Sequence, residues 1–146
     1  MKRTNQLPIK LIYNFTYRLS GNIETAKDLT EQALLMSNNN YTFCNSNHDR
    51  DLILLKQAWT YFMNDDRNLN YNYDGYFNFQ ENSPVQQLLL SLPPEVRCAV
   101  ILRDIFGYTY RQISAVLSKL EIEIRYLISM GRQEISKSTK KIDNTG

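Results

Sequence analysis

Residues 93–107 constrain this chain more than any other stretch. Pro93-Pro94 opens the segment and Gly107 closes it. Between them, Val96, Ala99, Val100, Ile101, Leu102, Ile105 and Phe106 leave almost no polar face. Proline in the first turn and glycine past the end are the punctuation of a helix. A helix apolar nearly all round is stable in water only inside other structure. The spacing therefore predicts a buried central helix with amphipathic neighbours packed around it.

Those neighbours are legible on both sides. Ser83-Pro84 sets a capping residue before a first-turn proline, and Leu88, Leu89 and Leu92 follow. After Gly107, Thr109-Tyr110-Arg111-Gln112 has the spacing of a capping box and opens a short helix through Leu117, with Ile113, Val116 and Leu117 inward. A turn at Ser118-Lys119 leads to a longer helix. One stripe of it holds Leu120, Ile124, Leu127, Ile128 and Ile135; the opposite face holds Ile122, Arg125, Tyr126, Ser129, Arg132 and Gln133. The tail, with Lys137, Lys140 and Lys141, is polar and basic.

The first half reads as three helices. Leu11, Ile12, Phe15 and Leu19 recur at helical spacing, and Gly21 is a natural C-terminal stop. A second helix starts between Asn22 and Glu24 and places Ala26, Leu29, Ala33 and Met36 on one face. Lys27, Asp28, Glu31 and Gln32 lie on its other face, and Asn38-Asn39-Asn40 ends it. Leu52, Leu55, Trp59 and Phe62 mark a third helix from Asp51 to Asp66. The stretch from Asn68 to Phe79 is rich in Asn and Tyr and lacks a helical period. It reads as a linker; its alternating Tyr and Phe also fit an edge strand. The fold class is thus all-α: two small helical domains joined by a linker, residues 1–67, 68–83 and 84–136, with a basic flexible tail at 137–146.

Composition narrows the function. No apolar run reaches the length of a membrane span, and no apolar signal core follows the basic start, so a cytoplasmic protein without membrane insertion is expected. Cys44 and Cys98 are too few and too far apart for a disulfide framework. Cys44 and His48 have ligand-like spacing, but no second pair completes a metal site. Neither a nucleotide loop nor a nucleophile–base pairing is present, so neither catalytic residues nor cofactors are expected. The net charge of +2 is small, but residues 92–146 carry 9 basic and 6 acidic side chains. The positive excess coincides with the paired helices, as phosphate contact requires.

Two helices joined by a tight turn can present the second to DNA. The first crosses the phosphate backbone; the second enters the major groove with its N-terminal residues at base edges. On that reading the DNA contacts are Thr109, Tyr110, Arg111, Glu121, Ile122, Glu123, Arg125, Tyr126, Ser129 and Arg132. The first helix offers free backbone N–H groups to a phosphate. Arg125 can pair with guanine or a phosphate, Glu123 can accept from cytosine, and Ile122 can touch a thymine methyl. The same residues also fit an ordinary solvated helix face.

The run Leu92-Pro93-Pro94-Glu95-Val96-Arg97, then Ile101-Leu102-Arg103-Asp104, then Gly107 to Leu117, resembles the promoter-reading C-terminal domain of bacterial RNA polymerase sigma factors. The small extracytoplasmic-function (ECF) type is the most similar subclass. Leu11-Ile12-Tyr13, Tyr17 to Asn22 and Ala26 to Gln32 are similar to its N-terminal domain. The resemblance implies a non-enzymatic initiation factor with core RNA polymerase and promoter DNA as partners, and an anti-sigma protein as a further one. It implies that Asp28, Leu29, Glu31 and Gln32 contact polymerase. It also puts single-strand capture on the third helix, where Trp59, Tyr61 and Phe62 offer stacking surfaces, although at helical spacing Trp59 and Phe62 are more often core. Two rival functions are a stand-alone helix-turn-helix regulator and a degenerate sigma-like interaction module. The chain departs from the family's pattern at several positions. Ser118 stands where glycine is usual, Glu123 and Leu127 replace a threonine and a basic residue, and Met130 replaces an arginine. Lys27 replaces an acid, and Glu31-Gln32 reverses the usual order.

Overall fold

The computed structural model describes residues 7–37, 46–65 and 83–144. Side chains are not described at 36, 37, 47 and 139–144. Every regular element among the described residues is helical. The stretch read as linker or edge strand, the Asn38-Asn39-Asn40 stop, Cys44 and the side chains of Met36, Lys140 and Lys141 lie outside what is described.

Helix α1 (Ile9–Ser20) buries Ile12, Phe15 and Leu19. Gly21 closes it in the left-handed region, φ 67°, and donates its N–H to Tyr17 O at 2.7 Å. The Asn22 side chain then accepts from Thr25 N–H at 2.9 Å at the start of α2 (Ile23–Ser37). Ala26, Leu29 and Ala33 face the core as their spacing requires. Buried Thr16 joins the two helices: its hydroxyl lies 3.2 Å from Ala26 O and 3.2 Å from the Thr30 hydroxyl. Helix α3 (Asn47–Asn64) begins ahead of the expected Asp51, because the Ser46 hydroxyl accepts from Asp49 N–H at 3.1 Å and caps it.

In the second half, Ser83 caps α4 (Pro84–Ser91). Helix α5 (Pro94–Val100) is the expected central rod, with Val96 to Val100 all buried. It runs on as a π-helical segment, Ile101–Ile105, in which Phe106 N–H reaches back to Ile101 O at 3.1 Å. That wider turn explains one difference from expectation. Ile105 is rotated out to solvent and Phe106 is only half-buried, although both were expected inside. Helix α6 (Tyr110–Leu117) and helix α7 (Glu121–Asn144) complete the chain. Since α7 is continuous to Asn144, residue 136 is not a structural boundary and 137–144 extend the helix.

The two helical sets are packed on each other around one core, which takes in Ile12, Phe15, Leu55 and Trp59 from the first and Leu89, Ile101, Ile113 and Ile124 from the second. Helix α3 lies against α6, and α1 against α4 and the π-helical segment. Arg97, on α5 and buried, joins them. Its guanidinium donates to Leu19 O at the end of α1 (2.6 Å) and to Leu89 O, Leu90 O and Leu92 O at the end of α4 (2.9, 3.2 and 2.9 Å). Helix C-termini leave such carbonyls unpaired and partly negative, so a cation there is doubly favoured. Gln86, also buried, donates to Arg18 O at 3.0 Å and accepts from the Arg18 guanidinium at 3.2 Å. The Phe106 ring meets Phe15 edge-on, with centroids 6.5 Å apart.

Helix α7 crosses α5 at Gly131. A Cβ there would stand 2.4 Å from Val100 Cγ2 and 2.9 Å from Val96 Cγ1. Gly131→Ala is therefore expected to lower stability: overpacking costs about 1–3 kcal/mol and outweighs the gain of about 1 kcal/mol in helix propensity. Arg97→Met should destabilise more, by about 3 kcal/mol or beyond, because four helix-end carbonyls lose a charged donor. Urea melts of the two variants check both values.

Candidate nucleic-acid interface

Helices α6 and α7 form the helix-turn-helix, and its parts follow from local sequence. Thr109 caps α6: its hydroxyl accepts from Gln112 N–H at 3.1 Å, and the Gln112 side chain accepts from Thr109 N–H at 2.9 Å. This is the capping box expected from the sequence. The turn has its own solution. Ser118 adopts the left-handed conformation, φ 56° and ψ 46°, that glycine fills without cost. Ser118 N–H donates to Ser114 O, Lys119 N–H to the same carbonyl at 3.2 Å, and the Ser114 hydroxyl to Lys119 O. Lys119 Nζ then lies 3.3 Å from Glu95 and 3.8 Å from Glu123, tying the turn to α5 and α7.

Ile124 and Ile128 bury their side chains and Leu127 and Ile135 pack half-buried against the core, which fixes the rotation of α7. Leu120 departs from this stripe and is 67% exposed. It precedes the helix, its carbonyl accepting from Ile124 N–H at 3.0 Å, so helical periodicity does not govern it.

The opposite face is presented as expected. Ile122 is 73% and Tyr126 65% exposed, and Glu121, Glu123, Arg125, Ser129 and Arg132 are exposed beside them. On α6, Thr109 and Arg111 are exposed and Tyr110 half-buried. The Arg103 and Arg125 guanidiniums both lie over the Tyr110 ring, 4.8 and 5.0 Å from its centroid. Arg132 donates to both carboxylate oxygens of Asp104, at 2.6 and 3.2 Å. That hydrogen bonding, with a smaller contribution from Tyr110, holds Arg132 even more firmly protonated than a free guanidinium. Arg103 and Asp104 were not among the residues expected here. The signal was available: they are an adjacent charged pair in the otherwise apolar run from Cys98 to Phe106.

The first helical set reaches this site from the other side. His48, on α3, contacts the Gln112 side chain and packs its ring 6.1 Å from that of Tyr108. Burial raises the Tyr108 hydroxyl above its ordinary range, and the neighbouring Asp51 charge adds to the shift.

The other expected sites divide. Glu31 and Gln32 are exposed on α2 and Asp28 is half-buried. Leu29 is fully buried and makes no surface for a partner; it shares the inward stripe with Ala26 and Ala33. Trp59 and Phe62, at 7% and 2% exposure, stack on each other in the core with centroids 5.9 Å apart. Neither offers a face to a single strand, and Tyr61 is half-buried against the same core. Their helical spacing with Leu55 already fits this outcome. Among the described residues no cluster of His, Cys, Asp and Glu could hold a metal ion. No described helix is long and apolar enough to cross a membrane.

Residues 83–135 match the family Sigma-70, region 4. Over 145 aligned residues the chain is 31% identical to the ECF RNA polymerase sigma factor SigE of Mycolicibacterium smegmatis. That alignment takes in 85% of this chain and 55% of the relative, so the chain spans about half the length of the curated relative it matches. In structure the chain is similar to the sigma factor RpoE solved in complex with the anti-sigma factor NepR from Bartonella quintana. The TM-score is 0.73 at 17% identity, over 90% of this chain and 91% of that one.

The left-handed serine generates a prediction. Ser118→Gly should raise stability by about 0.5–1 kcal/mol, since an L-residue in this region costs about 1–2 kcal/mol and glycine returns part of that as unfolded-chain entropy. A denaturant midpoint unchanged or lowered in Ser118→Gly would show that this turn is relaxed as serine.

Proposed function

We propose that this chain, a homologue of ECF sigma factors whose residues 83–135 form a sigma-70 region 4, acts in transcription initiation: it binds core RNA polymerase and directs it to promoter DNA. The observation that carries this reading is the presented helix. Its inward stripe is locked against α5, and Ile122, Arg125, Tyr126, Ser129 and Arg132 remain exposed along its outer side. Such a face can enter a major groove while Thr109 and Tyr110, at the start of α6, meet the strand backbone. Arg125 is the strongest candidate for base readout, as guanidinium can pair with two acceptors of guanine.

The exposed acid and amide of Glu31 and Gln32, with Asp28 beside them, suit a basic helix of the polymerase. The factor would need no catalytic centre and no cofactor, because the polymerase makes the RNA. It would work in the cytoplasm, with an anti-sigma protein as a natural antagonist. Its working parts would be a polymerase-binding unit at 1–67, a connection at 68–83 and a DNA-reading unit from 84 onward.

One observation favours a second reading, a sigma-like interaction module that touches no promoter. Glu121 and Glu123 stand at the start of α7, where carboxylates repel a duplex. Run-off transcription with core polymerase on a promoter library separates the two. The expected result is selective initiation that Arg125→Ala reduces about tenfold or more and that Glu31→Ala with Gln32→Ala reduces together with polymerase pull-down. Retained pull-down with no selected promoter would favour the interaction module.

A further inference from the structure

Outside the core, the two helical sets also meet where His48 of α3 contacts Gln112 of α6. The polarity of that contact follows from the capping box. Thr109 N–H donates to Gln112 Oε1 at 2.9 Å, so that atom is the acceptor end of the amide. The other end, Nε2, carries two hydrogens and can only donate. It is this Nε2 that meets His48 Nε2, so the imidazole nitrogen there must accept. His48 therefore stands as a neutral ring, with Nε2 bare and its hydrogen on Nδ1. The ring packs 6.1 Å from that of Tyr108, tilted by 41°.

A proton taken up at Nε2 would remove the acceptor and set an N–H against an NH2 group. Turning the Gln112 amide over would give the cation an oxygen, but it would aim NH2 at Thr109 N–H and break the cap. Either way, one of the two bonds made by Gln112 is lost. Imidazole is the side chain whose charge ordinarily changes between about pH 5 and 8. The charges around His48 divide. It lies in the first turn of α3, whose partial positive charge disfavours a cation. Asp49 and Asp51 on α3 favour one, and Arg50, 3.4 Å from Asp51, offsets part of that. Across the contact, Arg111 of α6 is exposed and disfavours a cation. Burial keeps the Tyr108 phenol protonated, and so uncharged. The charges partly cancel, which leaves the hydrogen-bond polarity to set the sign.

We propose that His48 and Gln112 form a proton-sensitive latch between the first helical set and α6, closed while His48 is neutral and released when it takes up a proton. This goes beyond the role in initiation and does not depend on it, since both partners lie within the chain. The latched form holds fewer protons than the released one, so the latch contributes at neutral pH and its contribution is lost as pH falls. His48 is exposed, so the loss is that of one solvent-facing hydrogen bond. Such a bond changes the unfolding equilibrium about two- to tenfold. Release would free the amide that completes the α6 capping box from its hold on α3.

The test is urea unfolding of the full chain on either side of the imidazole range, at about pH 7.5 and about pH 5.5. His48→Gln keeps a polar side chain that has no proton to gain. On acidification the native chain should lose more stability than His48→Gln, by about two- to tenfold in the equilibrium constant. Gln112→Glu keeps the capping box, in which glutamate serves as well as glutamine, but sets an acceptor against His48. Its latch should be strengthened by the proton, so it should lose less stability than either of the others. The same pH response in the native chain and His48→Gln, or in the native chain and Gln112→Glu, overturns the proposal. NMR of the native chain keeps the test independent of how the variants fold. The Gln112 side-chain NH2 and Thr109 N–H signals should move with the same midpoint as the His48 ring. Signals that stay in place while the ring titrates would overturn the latch.

Discussion

The packing of this protein depends on where one guanidinium lies. Arg97 is buried where the two helical sets meet, bonded to carbonyl groups at the ends of α1 and α4. A buried charge is costly unless its donors are filled, and few groups fill five planar N–H donors as well as converging helix ends do. The requirement runs both ways. Those helix ends need further donors because helix-end carbonyls are left short of intrahelical partners, only Leu89 O receiving a local N–H, from Leu92, and burial denies them water. The two helical sets therefore meet in a defined arrangement. Gly21 reinforces it: a Cβ there would come within 2.6 Å of Leu90, so the α1–α4 approach needs glycine for space as well as for its backbone angle.

This arrangement positions the outward helix. With α5 held through Arg97, Gly131 lets α7 lie directly on Val96 and Val100. Close approach at one point and the Ile124–Ile128 stripe at another leave α7 no rotational freedom. The turn before it accepts backbone strain at Ser118 in return for a fixed exit angle. His48 places α3 against the side chain that completes the α6 capping box. The first helical set is thereby in direct touch with the first helix of the helix-turn-helix, so a change in how the two sets pack would be felt at its exposed face.

Much of this was legible in the sequence, for identifiable reasons. Caps and stops are local chemistry, and Ser83, Thr109, Gln112, Gly21 and Gly107 act where the sequence puts them. The inward stripes of α1, α2 and α6 follow from period alone. The failures share a cause, which is that period assumes a regular helix. Ile105 lies in a π turn and Leu120 lies ahead of its helix, so both escape the rule. Leu29, Trp59 and Phe62 took functional expectations from resemblance while their spacing said core, and spacing was the better guide. Arg97, Gln86 and Gly131 were silent, because their roles depend on tertiary neighbours that no local window contains.

The outer side of α7 changes character along its length, and that bears on how affinity and selectivity can be divided. Its beginning is apolar and acidic: Leu120 and Ile122 are open to solvent, Glu121 and Glu123 flank them, and Lys119 draws part of the Glu123 charge. Its middle is cationic, with Arg125, Arg132 and Lys137 along one side. On a duplex the beginning would contribute little attraction and would even repel phosphates, yet apolar and acidic groups discriminate between base edges. The middle would contribute attraction without discrimination. Carboxylates at Asp104 and Glu134 temper that attraction. A protein built this way would hold nonspecific DNA weakly, and a larger share of its binding free energy would depend on the sequence under Ile122 and Glu123. The small net charge of the chain is then consistent with selective DNA binding, since a stronger cationic field would raise affinity for every sequence alike.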